Sequence, residues 1–199
     1  MPTQLQTMKP RLLLSNKNFE ITINRLCYQL IENHDDFTKS AIIGMQPRGV
    51  YLAQRIHKNL SIILGTKKIL CGNLDVTFFR DDFRKHDNPL IPSATEINFI
   101  VEDKNVILVD DVLYTGRTIR AGLDAILAFG RPRKVELLVL IDRRYSRHLP
   151  IEPNYIGKAI DSVSSERVKV EWKEVEGKDH VSLNSAEGEN KTKTSSQKK

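Results

Sequence analysis

The chain has 199 residues, 40% of them hydrophobic and 28% charged, which is typical of a globular protein and excludes a fibrous or largely disordered one. No apolar run reaches the roughly 18 residues needed to span a bilayer, and residues 1–10 lack the apolar core of a secretory signal, so we expect a cytoplasmic protein without a membrane segment. The formal net charge of +6 favours an anionic partner, which could be a phosphorylated metabolite or a nucleic acid.

The first third of the chain predicts an arm, a helix, a strand and a second helix. Residues 1–17 contain two prolines and predict an irregular arm, in which residues 12–14 are apolar enough for a short strand. Residues 41–45 predict a strand that ends at the turn Gln46-Pro47-Arg48-Gly49, and helical spacing resumes at Val50. Between arm and strand, apolar residues recur every three or four positions and predict the buried stripe of a helix: Phe19, Ile23, Leu26, Cys27, Leu30 and Ile31.

The middle of the chain predicts a half-exposed strand followed by a charged loop. Within residues 69–79, the apolar Leu74, Val76 and Phe78 alternate with polar residues, as in a strand with one solvated face. Residues 80–93 are rich in charge and contain two prolines, so they predict a mobile excursion. The two cysteines, Cys27 and Cys71, lie in unrelated segments and predict buried thiols rather than a disulfide framework or a zinc site.

A strand, loop, helix and strand follow over residues 106–141. Residues 106–109 are four consecutive apolar residues, as expected of a strand buried on both faces of a parallel sheet. The next helix should end at Gly130, with Pro132 just beyond, and a further strand spans 135–141. The residues that this helix is predicted to bury are Ile119, Leu123, Ile126 and Leu127. The alternation predicts a parallel α/β sheet with right-handed crossovers, whose ligands bind at the carboxyl ends of the strands.

The periodicity weakens beyond Asp142. Val168, Val170 and Trp172 indicate one late strand, and residues 182–199 hold four lysines, two glutamates and few apolar residues, which predicts a disordered basic tail. We therefore divide the chain into an arm (1–17), one α/β domain (18–181) and the tail (182–199).

The segment 106–118 carries the clearest chemistry. The buried strand delivers Asp110 and Asp111 to the ligand edge, and a loop then opens a helix at Thr115-Gly116-Arg117-Thr118. Unpaired backbone N–H groups and the positive end of the helix dipole suit a phosphate dianion there. The carboxylates suit hydroxyl donors, or a divalent metal held with them, and a ribose 5-phosphate offers a diol close to its phosphate. An isolated Asp-Asp pair would indicate only helix capping or a solvated loop, but the whole segment favours a sugar-phosphate site.

This segment resembles the signature with which type I phosphoribosyltransferases bind phosphoribosyl pyrophosphate (PRPP). Within that family, residues 19–181 resemble the bifunctional pyrimidine-operon regulators that are also uracil phosphoribosyltransferases. The other stretches that carry the resemblance are residues 44–53, 75–82, 149–151 and 155–158. The resemblance implies an α/β fold with a central parallel twisted sheet flanked by helices, a small hood and a flexible β-loop.

The resemblance also implies the residues of the site. The turn Pro47-Arg48-Gly49 would meet the pyrophosphate, although Pro47 replaces the family's threonine and removes one N–H and one hydroxyl. Arg80 begins the family's flexible catalytic loop, so the implied catalytic residues are Arg48, Arg80, Asp110 and Asp111. Ile141-Asp142-Arg143 would lie at the edge of the uracil base, the alternative being an ion pair at a strand end. The remaining residues implied to bind PRPP are Val112, Leu113, Tyr114, Thr115, Gly116, Arg117 and Thr118.

The reaction implied is uracil plus PRPP giving UMP plus pyrophosphate, with Mg²⁺ carried on the diphosphate near Asp110 and Asp111. The regulators of this family also bind a stem-loop of pyrimidine-gene mRNA when UMP or UTP is bound, and they commonly form dimers or larger homo-oligomers. The corresponding candidates for RNA binding are Arg25, Arg144, Arg147, His148 and Lys158. Residues 144–148 are one residue longer than the family's stretch, and Glu152 stands where an arginine is common, so a solvated surface or an oligomer contact is the alternative for these residues.

Two other functions stay open. The chain could be an RNA-binding regulator that uses the site only to sense UMP, or a guanine or hypoxanthine phosphoribosyltransferase, since the signature specifies PRPP and not the base. A dinucleotide oxidoreductase is excluded because no predicted strand is followed by Gly-x-Gly-x-x-Gly.

Overall fold

The computed structural model describes residues 10–81 and 92–185 and divides into two compact units. The larger unit is Ile21–Asp161, and the smaller unit joins Met1–Glu20 to Ser162–Lys199. No helix in the described ranges is both long enough and apolar enough to cross a membrane. In chain order the elements are β1 (Arg11–Leu14), α1 (Asn16–His34), β2 (Ser40–Met45), α2 (Gly49–Ile63), β3 (Leu70–Leu74), β4 (Asn105–Leu113), α3 (Arg117–Ile126), β5 (Lys134–Arg144), β6 (Tyr155–Asp161), β7 (Glu166–Glu171), α4 (Lys173–Glu176) and β8 (His180–Ser185).

The larger unit is built on a five-stranded parallel sheet in the order β3-β2-β4-β5-β6. The inner strands β2 and β4 both contain runs of apolar residues. The residues of β4 from 106 to 109 are fully buried, which confirms the strand predicted there. Glycines bring α2 close to these strands: a Cβ on Gly44 would lie 2.8 Å from the Cβ of Ala53, and one on Gly49 would collide with the carbonyl oxygen of Val109. The start of α2 is therefore held against β4 at the point where Asp110 follows.

The face that α3 packs on the sheet differs in part from the predicted one. Ile119 and Ile126 are buried as predicted, but Leu123 and Leu127 are 36% and 62% exposed, so that part of the prediction is wrong. The small Gly122 packs against Met45 and Leu108 instead, and a Cβ there would lie 3.0 Å from the Met45 Cε. Small residues allow the helix to approach closely, and this turns the larger leucines outward. The α-helix ends at Ile126 and is followed by a 3-10 turn, Leu127–Phe129, before Gly130.

The strand predicted over residues 69–79 is also shorter than expected. β3 ends at Leu74, and Thr77–Phe79 form a 3-10 turn in which Phe78 is 66% exposed. The cause is the Asp75 carboxylate, which accepts hydrogen bonds from the Thr77 N–H (2.8 Å) and hydroxyl (2.6 Å). A side chain that bonds the backbone two residues ahead stabilises a turn in place of a strand. The excursion predicted at 80–93 lies largely outside the described residues, which resume at Pro92.

The smaller unit contains an antiparallel sheet in the order β1-β8-β7, and its core includes the edge-to-face pair of Phe19 and Trp172, with ring centroids 5.1 Å apart. β8 continues to Ser185, so the prediction of a disordered tail is wrong for residues 182–185, and residues 186–199 lie outside the described part of the chain. As the central strand, β8 forms ladders with neighbours on both sides, which orders a segment poor in apolar residues. In the arm, the strand predicted at 12–14 is confirmed as part of β1, but α1 already begins at Asn16.

Both cysteines are free thiols, as predicted. Cys27 is fully buried and Cys71 is half-buried, and they form no disulfide. Burial raises the pKa of Cys27 to about 12 and that of Cys71 to about 11, so both stay protonated at neutral pH.

Candidate functional site

A cavity of about 250 Å³ opens at the carboxyl end of β4. It brings together the sequence-predicted residues from 110 to 118 except Asp111, and it adds Arg80 from beyond β3. The cavity is lined by Arg80, Asp110, Val112, Leu113, Tyr114, Thr115, Gly116, Arg117, Thr118 and Ile119. The carboxyl edge of the parallel sheet is therefore where most of the predicted site residues meet, as expected for this class of sheet.

The surroundings of the acid pair, Asp110 and Asp111, disfavour the ionised form of both carboxyls. Burial raises the pKa of the Asp110 carboxyl well above its ordinary value, and the charge of Asp111 raises it further. Burial also raises the pKa of Asp111 to about 6, although the Arg48 guanidinium opposes this shift. The Asp110 carboxylate accepts a hydrogen bond of 2.9 Å from the Asp111 N–H. Two crowded, poorly solvated carboxylates would gain from a ligand that brings hydroxyl donors or positive charge.

Residues 113–118 connect β4 to α3, and we call them the phosphate loop after the role that the sequence predicts for them. Gly116 has a φ of 87°, a left-handed backbone conformation that residues other than glycine rarely adopt. A Cβ at this position would lie 3.2 Å from the Ile151 Cδ1. Its carbonyl oxygen accepts the N–H of Arg120 at 3.0 Å, as α3 begins at Arg117. The N–H groups of the first helical turn have no partner within a helix, so this end of α3 can bind an anion.

The turn Pro47-Arg48-Gly49 lies beside the acid pair, and we call it the pyrophosphate turn after the role that the resemblance implies. The Arg48 Nε is 3.7 Å from the Asp111 Oδ2, and the Arg48 side chain is 33% exposed. The peptide bond before Pro47 is cis, and the preceding Gln46 N–H donates to the Leu74 carbonyl oxygen at 2.9 Å. The close contact of Gly49 with β4 thus brings an arginine next to the carboxylates, two segments that the sequence separates by more than sixty residues.

Residues 80 and 81 connect this site to the predicted β-loop, of which residues 82–91 lie outside the described chain. The positive charge of Arg80 lowers the pKa of Asp110, which partly offsets the effect of burial. The Asp81 carboxylate forms an ion pair with the Arg117 guanidinium of the phosphate loop. The resemblance places Asp81 with Arg80 at the start of the flexible loop, but the sequence did not predict its ion pair with Arg117.

The predicted base-binding residues, 141–143, lie near the carboxyl end of β5. Ile141 is fully buried, and Asp142 and Arg143 are 6% and 5% exposed. The Arg143 guanidinium stacks over the Tyr114 ring at 4.1 Å, which ties the end of β5 to the phosphate loop. Asp142 forms an ion pair with Arg147. The ion pair considered as an alternative is therefore present, with a partner that the sequence did not suggest.

The predicted RNA-binding residues have partners within the chain. Arg25 donates to the carbonyl oxygens of Ile156 (3.0 Å) and Gly157 (2.6 Å) on the edge strand β6. Arg147 donates to four carbonyl oxygens besides Asp142, and these contacts favour a structural role for both arginines.

The other three RNA candidates lie at the surface. Arg144 pairs with Asp161 at 2.8 Å, and the His148 Nδ1 accepts a hydrogen bond of 3.4 Å from the Arg117 Nε. Lys158 is exposed. RNA binding and the expected homo-oligomer both stay predictions.

The residues present suit a metal carried by a ligand better than one held by protein alone. Among residues 10–81 and 92–185, no group of three or more His, Cys, Asp or Glu side chains could hold a metal ion. The acid pair offers two neighbouring oxygen donors, and Mg²⁺ is commonly bound by one or two carboxylates together with phosphate oxygens.

Comparison with known proteins identifies what this chain is similar to. The model of the phosphoribosyl transferase domain family matches residues 12–174. A protein named bifunctional protein PyrR, from Limosilactobacillus fermentum, is 41% identical over 173 residues, covering 86% of this chain and 96% of that protein. The protein of the same name from Clostridioides difficile is 41% identical over 172 residues, with the same two coverages.

Solved structures confirm the fold. A hypoxanthine phosphoribosyltransferase of Trypanosoma cruzi superposes with a TM-score of 0.70 at 12% identity, covering 97% of this chain and 100% of the other. At that identity the likeness concerns the fold alone. The predicted type I phosphoribosyltransferase fold is thus confirmed, and the separate three-stranded antiparallel sheet is the expected small hood.

Proposed function

The chain belongs to the PyrR family of phosphoribosyl transferase domain proteins, and from this premise we propose that it is a uracil phosphoribosyltransferase. The enzyme would join uracil to the ribose 5-phosphate of PRPP and release pyrophosphate, giving UMP. One observation carries the proposal: a single cavity gathers the phosphate loop, Asp110 and Arg80 at the end of β4. Binding PRPP requires anion donors, acceptors for a diol and positive charge in one place, and the cavity supplies all three.

Each part of the cavity has a role in this reaction. The N–H groups at the start of α3 would bind the 5′-phosphate, and Asp110 and Asp111 would accept hydrogen bonds from the ribose hydroxyls. Arg48 and Arg80 would place positive charge beside the departing pyrophosphate. The chemistry needs no covalent nucleophile, so these residues act by binding, orienting and stabilising charge rather than as acid or base.

The acid pair also suits the Mg²⁺ that phosphoribosyltransferases generally use with PRPP. When bound to the diphosphate, Mg²⁺ supplies positive charge that offsets negative charge on the leaving group. Asp110 and Asp111 would face it, and a nearby cation lowers the pKa of a carboxyl that burial has raised. Ligand binding would thereby favour the carboxylate form of the acid pair.

The base is the part of the substrate that the cavity specifies least. Membership in the PyrR family favours uracil, whereas the hypoxanthine enzyme resembles the chain only in fold. The test is an assay with PRPP and, in separate reactions, uracil, cytosine, hypoxanthine and guanine. We expect UMP from uracil alone, and turnover of hypoxanthine or guanine in its place would support the purine alternative.

We also propose a regulatory activity, the binding of pyrimidine leader mRNA when UMP or UTP occupies the site. Relatives are named bifunctional, and Arg144, Lys158 and the 84% exposed Tyr145 offer cations and a ring to a nucleic acid. A gel shift with the organism's own pyrimidine leader RNA, with and without UMP, tests this activity. A UMP-dependent shift without any UMP synthesis from uracil and PRPP would favour the sensor alternative.

A further inference from the structure

We propose that Arg147 is a positioning residue that holds the phosphate loop in the shape that binds a 5′-phosphate, an inference that rests on the proposed function. Sequence patterns place Arg147 in a basic run at the surface, where it resembles a ligand for RNA. In the fold its side chain is only 22% exposed and is surrounded by acceptors from three separate segments. The residue therefore acts within the protein, through the loop.

The contacts of Arg147 connect the ends of two neighbouring strands. Its Nη1 lies within hydrogen-bond distance of three carbonyl oxygens, those of Leu113 (3.3 Å) at the end of β4, Tyr114 (2.5 Å) just beyond it and Arg143 (3.0 Å) near the end of β5. The Nε donates to the Ile151 carbonyl oxygen at 3.1 Å, and the remaining nitrogen pairs with the buried Asp142 carboxylate. One guanidinium thus joins the phosphate loop to the end of β5 and to the segment beyond it.

The residues after Arg147 continue the same clamp. The N–H groups of His148 (3.0 Å) and Leu149 (3.2 Å) both donate to the Thr115 carbonyl oxygen. Ile151 packs where a side chain on Gly116 would otherwise lie. Three successive carbonyl groups of the phosphate loop, those of residues 113, 114 and 115, are therefore bound by residues 147–149.

The orientation of these carbonyl groups determines where the loop amides point. In a trans peptide the C=O and the N–H bonds lie in one plane and point in opposite directions. Carbonyl groups turned toward Arg147 and residues 148–149 leave the N–H groups of Tyr114, Thr115 and Gly116 turned away from them. Phosphate is bound by backbone N–H groups at such a loop, so Arg147 fixes the donors by holding the acceptors.

An arginine suits this task better than a lysine. The planar guanidinium has five N–H donors in a fixed fork. Here these donors reach the carbonyl oxygens of Tyr114 and Ile151 and the carboxylate of Asp142 at the same time. A lysine could still neutralise Asp142 and so avoid leaving a buried charge unpaired, but its single ammonium cannot reach the same carbonyl groups together. Arg147→Lys is therefore expected to fold while loosening the loop, and Arg147→Met removes all hydrogen bonds of the guanidinium while the backbone contacts of residues 148–149 stay.

The test measures binding of two ligands by calorimetry, ribose 5-phosphate for the phosphate loop and magnesium pyrophosphate for the pyrophosphate turn. We expect Arg147→Met to weaken ribose 5-phosphate by roughly a hundredfold and Arg147→Lys by about tenfold, since small misplacements of a site have effects of this size. Pyrophosphate affinity should stay within about twofold, because Arg48 does not depend on the clamp. The matched control is Arg120→Met, which removes an exposed arginine paired with Asp124 on α3 and should bind both ligands like the unaltered protein.

The outcomes separate the inference from the function on which it rests. Unaltered affinity for ribose 5-phosphate in both Arg147 variants overturns the positioning role and leaves the enzyme proposal intact. Equal loss of both ligands together with a lower melting temperature also overturns it, since that pattern indicates general destabilisation. If Arg147→Met does not fold, the Arg147→Lys variant alone decides. Failure of the unaltered protein to bind ribose 5-phosphate would remove the proposed function and the inference with it.

Discussion

The two ends of the parallel sheet both carry ionisable side chains, but those at the amino end have closer hydrogen-bonding partners than those at the carboxyl end. At the carboxyl end, burial raises the pKa of both members of the acid pair. At the amino end, His34 has Ser40 Oγ 2.9 Å from one ring nitrogen, and Glu136 (2.7 Å) and Tyr155 (3.1 Å) beside the other. We call these four residues the amino-end cluster.

The difference shows which end of the sheet has charged groups that the protein itself stabilises only in part. The amino-end cluster meets its own hydrogen-bonding needs, and Lys134 adds a 2.5 Å contact to Glu136. The acid pair has only partial compensation, from Arg48 at 3.7 Å and from the charge of Arg80. A ligand that brings hydroxyl donors or positive charge would therefore stabilise the acid pair, whereas the amino-end cluster needs no further partner. This is the pattern expected of a binding site at one end of the sheet and a structural cluster at the other.

The largest effect is expected from Asp110→Asn combined with Asp111→Asn. Loss of both carboxylates should lower turnover by about a thousandfold or more, because the ribose hydroxyls and the ligand-borne cation lose their partners. The same change should raise the melting temperature at pH 7. Each pKa is raised in the folded state, so the folded carboxyls take up protons before the unfolded ones and stability falls as pH rises toward 6 and above.

Calorimetry with PRPP and a thermal melt at pH 7 would check both halves of this prediction. Asp124→Asn, which alters an exposed carboxylate on α3, is the control. Unchanged PRPP affinity would remove the ribose role, and a lower melting temperature in the double variant would show that the acid pair stabilises the fold.

The next effect concerns the cation beside the acid pair. Arg48→Ala should lower turnover by about a hundredfold to a thousandfold, the range seen when one preorganised charge-stabilising group is removed. The fold should be intact because Arg48 lies at a partly exposed turn. UMP formation and circular dichroism measure the two quantities, with the exposed Lys58→Ala on α2 as the control. Persistent activity would mean that this turn does not bind pyrophosphate.

At the amino end we expect a change in stability without a change in rate. Glu136→Ala removes a buried acceptor from His34 and Tyr155 and should lower the free energy of unfolding by about 2 kcal/mol. The value of kcat/KM should stay near that of the unaltered protein. The free energy of unfolding is measured by urea denaturation. Glu32→Ala, an exposed change on α1, is the control. A loss of activity as large as that of Arg48→Ala would mean that the two ends are coupled.

The smallest effect is a difference in pH dependence between the two ends. Burial lowers the pKa of His34, so the folded state keeps the ring neutral while the unfolded state takes up a proton below about pH 6.5. The stability that His34 contributes is therefore present above that pH and is lost as pH falls below it, opposite in sign to the acid pair. Melting temperatures of the unaltered protein and of His34→Gln should differ more at pH 8 than at pH 5. A constant difference would show that His34 does not titrate in this way.

Local patterns predicted the parts of the molecule that depend on neighbouring residues. The apolar run at 106–109, the acid pair and the small residues of the phosphate loop form one continuous segment, so its strand, loop and helix could be predicted together. β8 could not, because part of its order comes from a ladder with β1, a strand far away in sequence. The contacts of Arg147 could not be predicted for the same reason, since only the fold brings the carbonyl groups of residues 113 and 114 within its reach.

The pairing of the first strand with the last has a consequence for the order in which the protein assembles on the ribosome. β1 finds its ladder partner in β8, with Arg11 opposite Leu183, so the earliest strand to emerge waits unpaired until nearly all of the described chain has been made. The parallel sheet, complete by Asp161, can form during that interval. Linking the two ends and opening the chain at another surface turn would bring these partners together at once, and such a permuted protein should assemble its small sheet sooner.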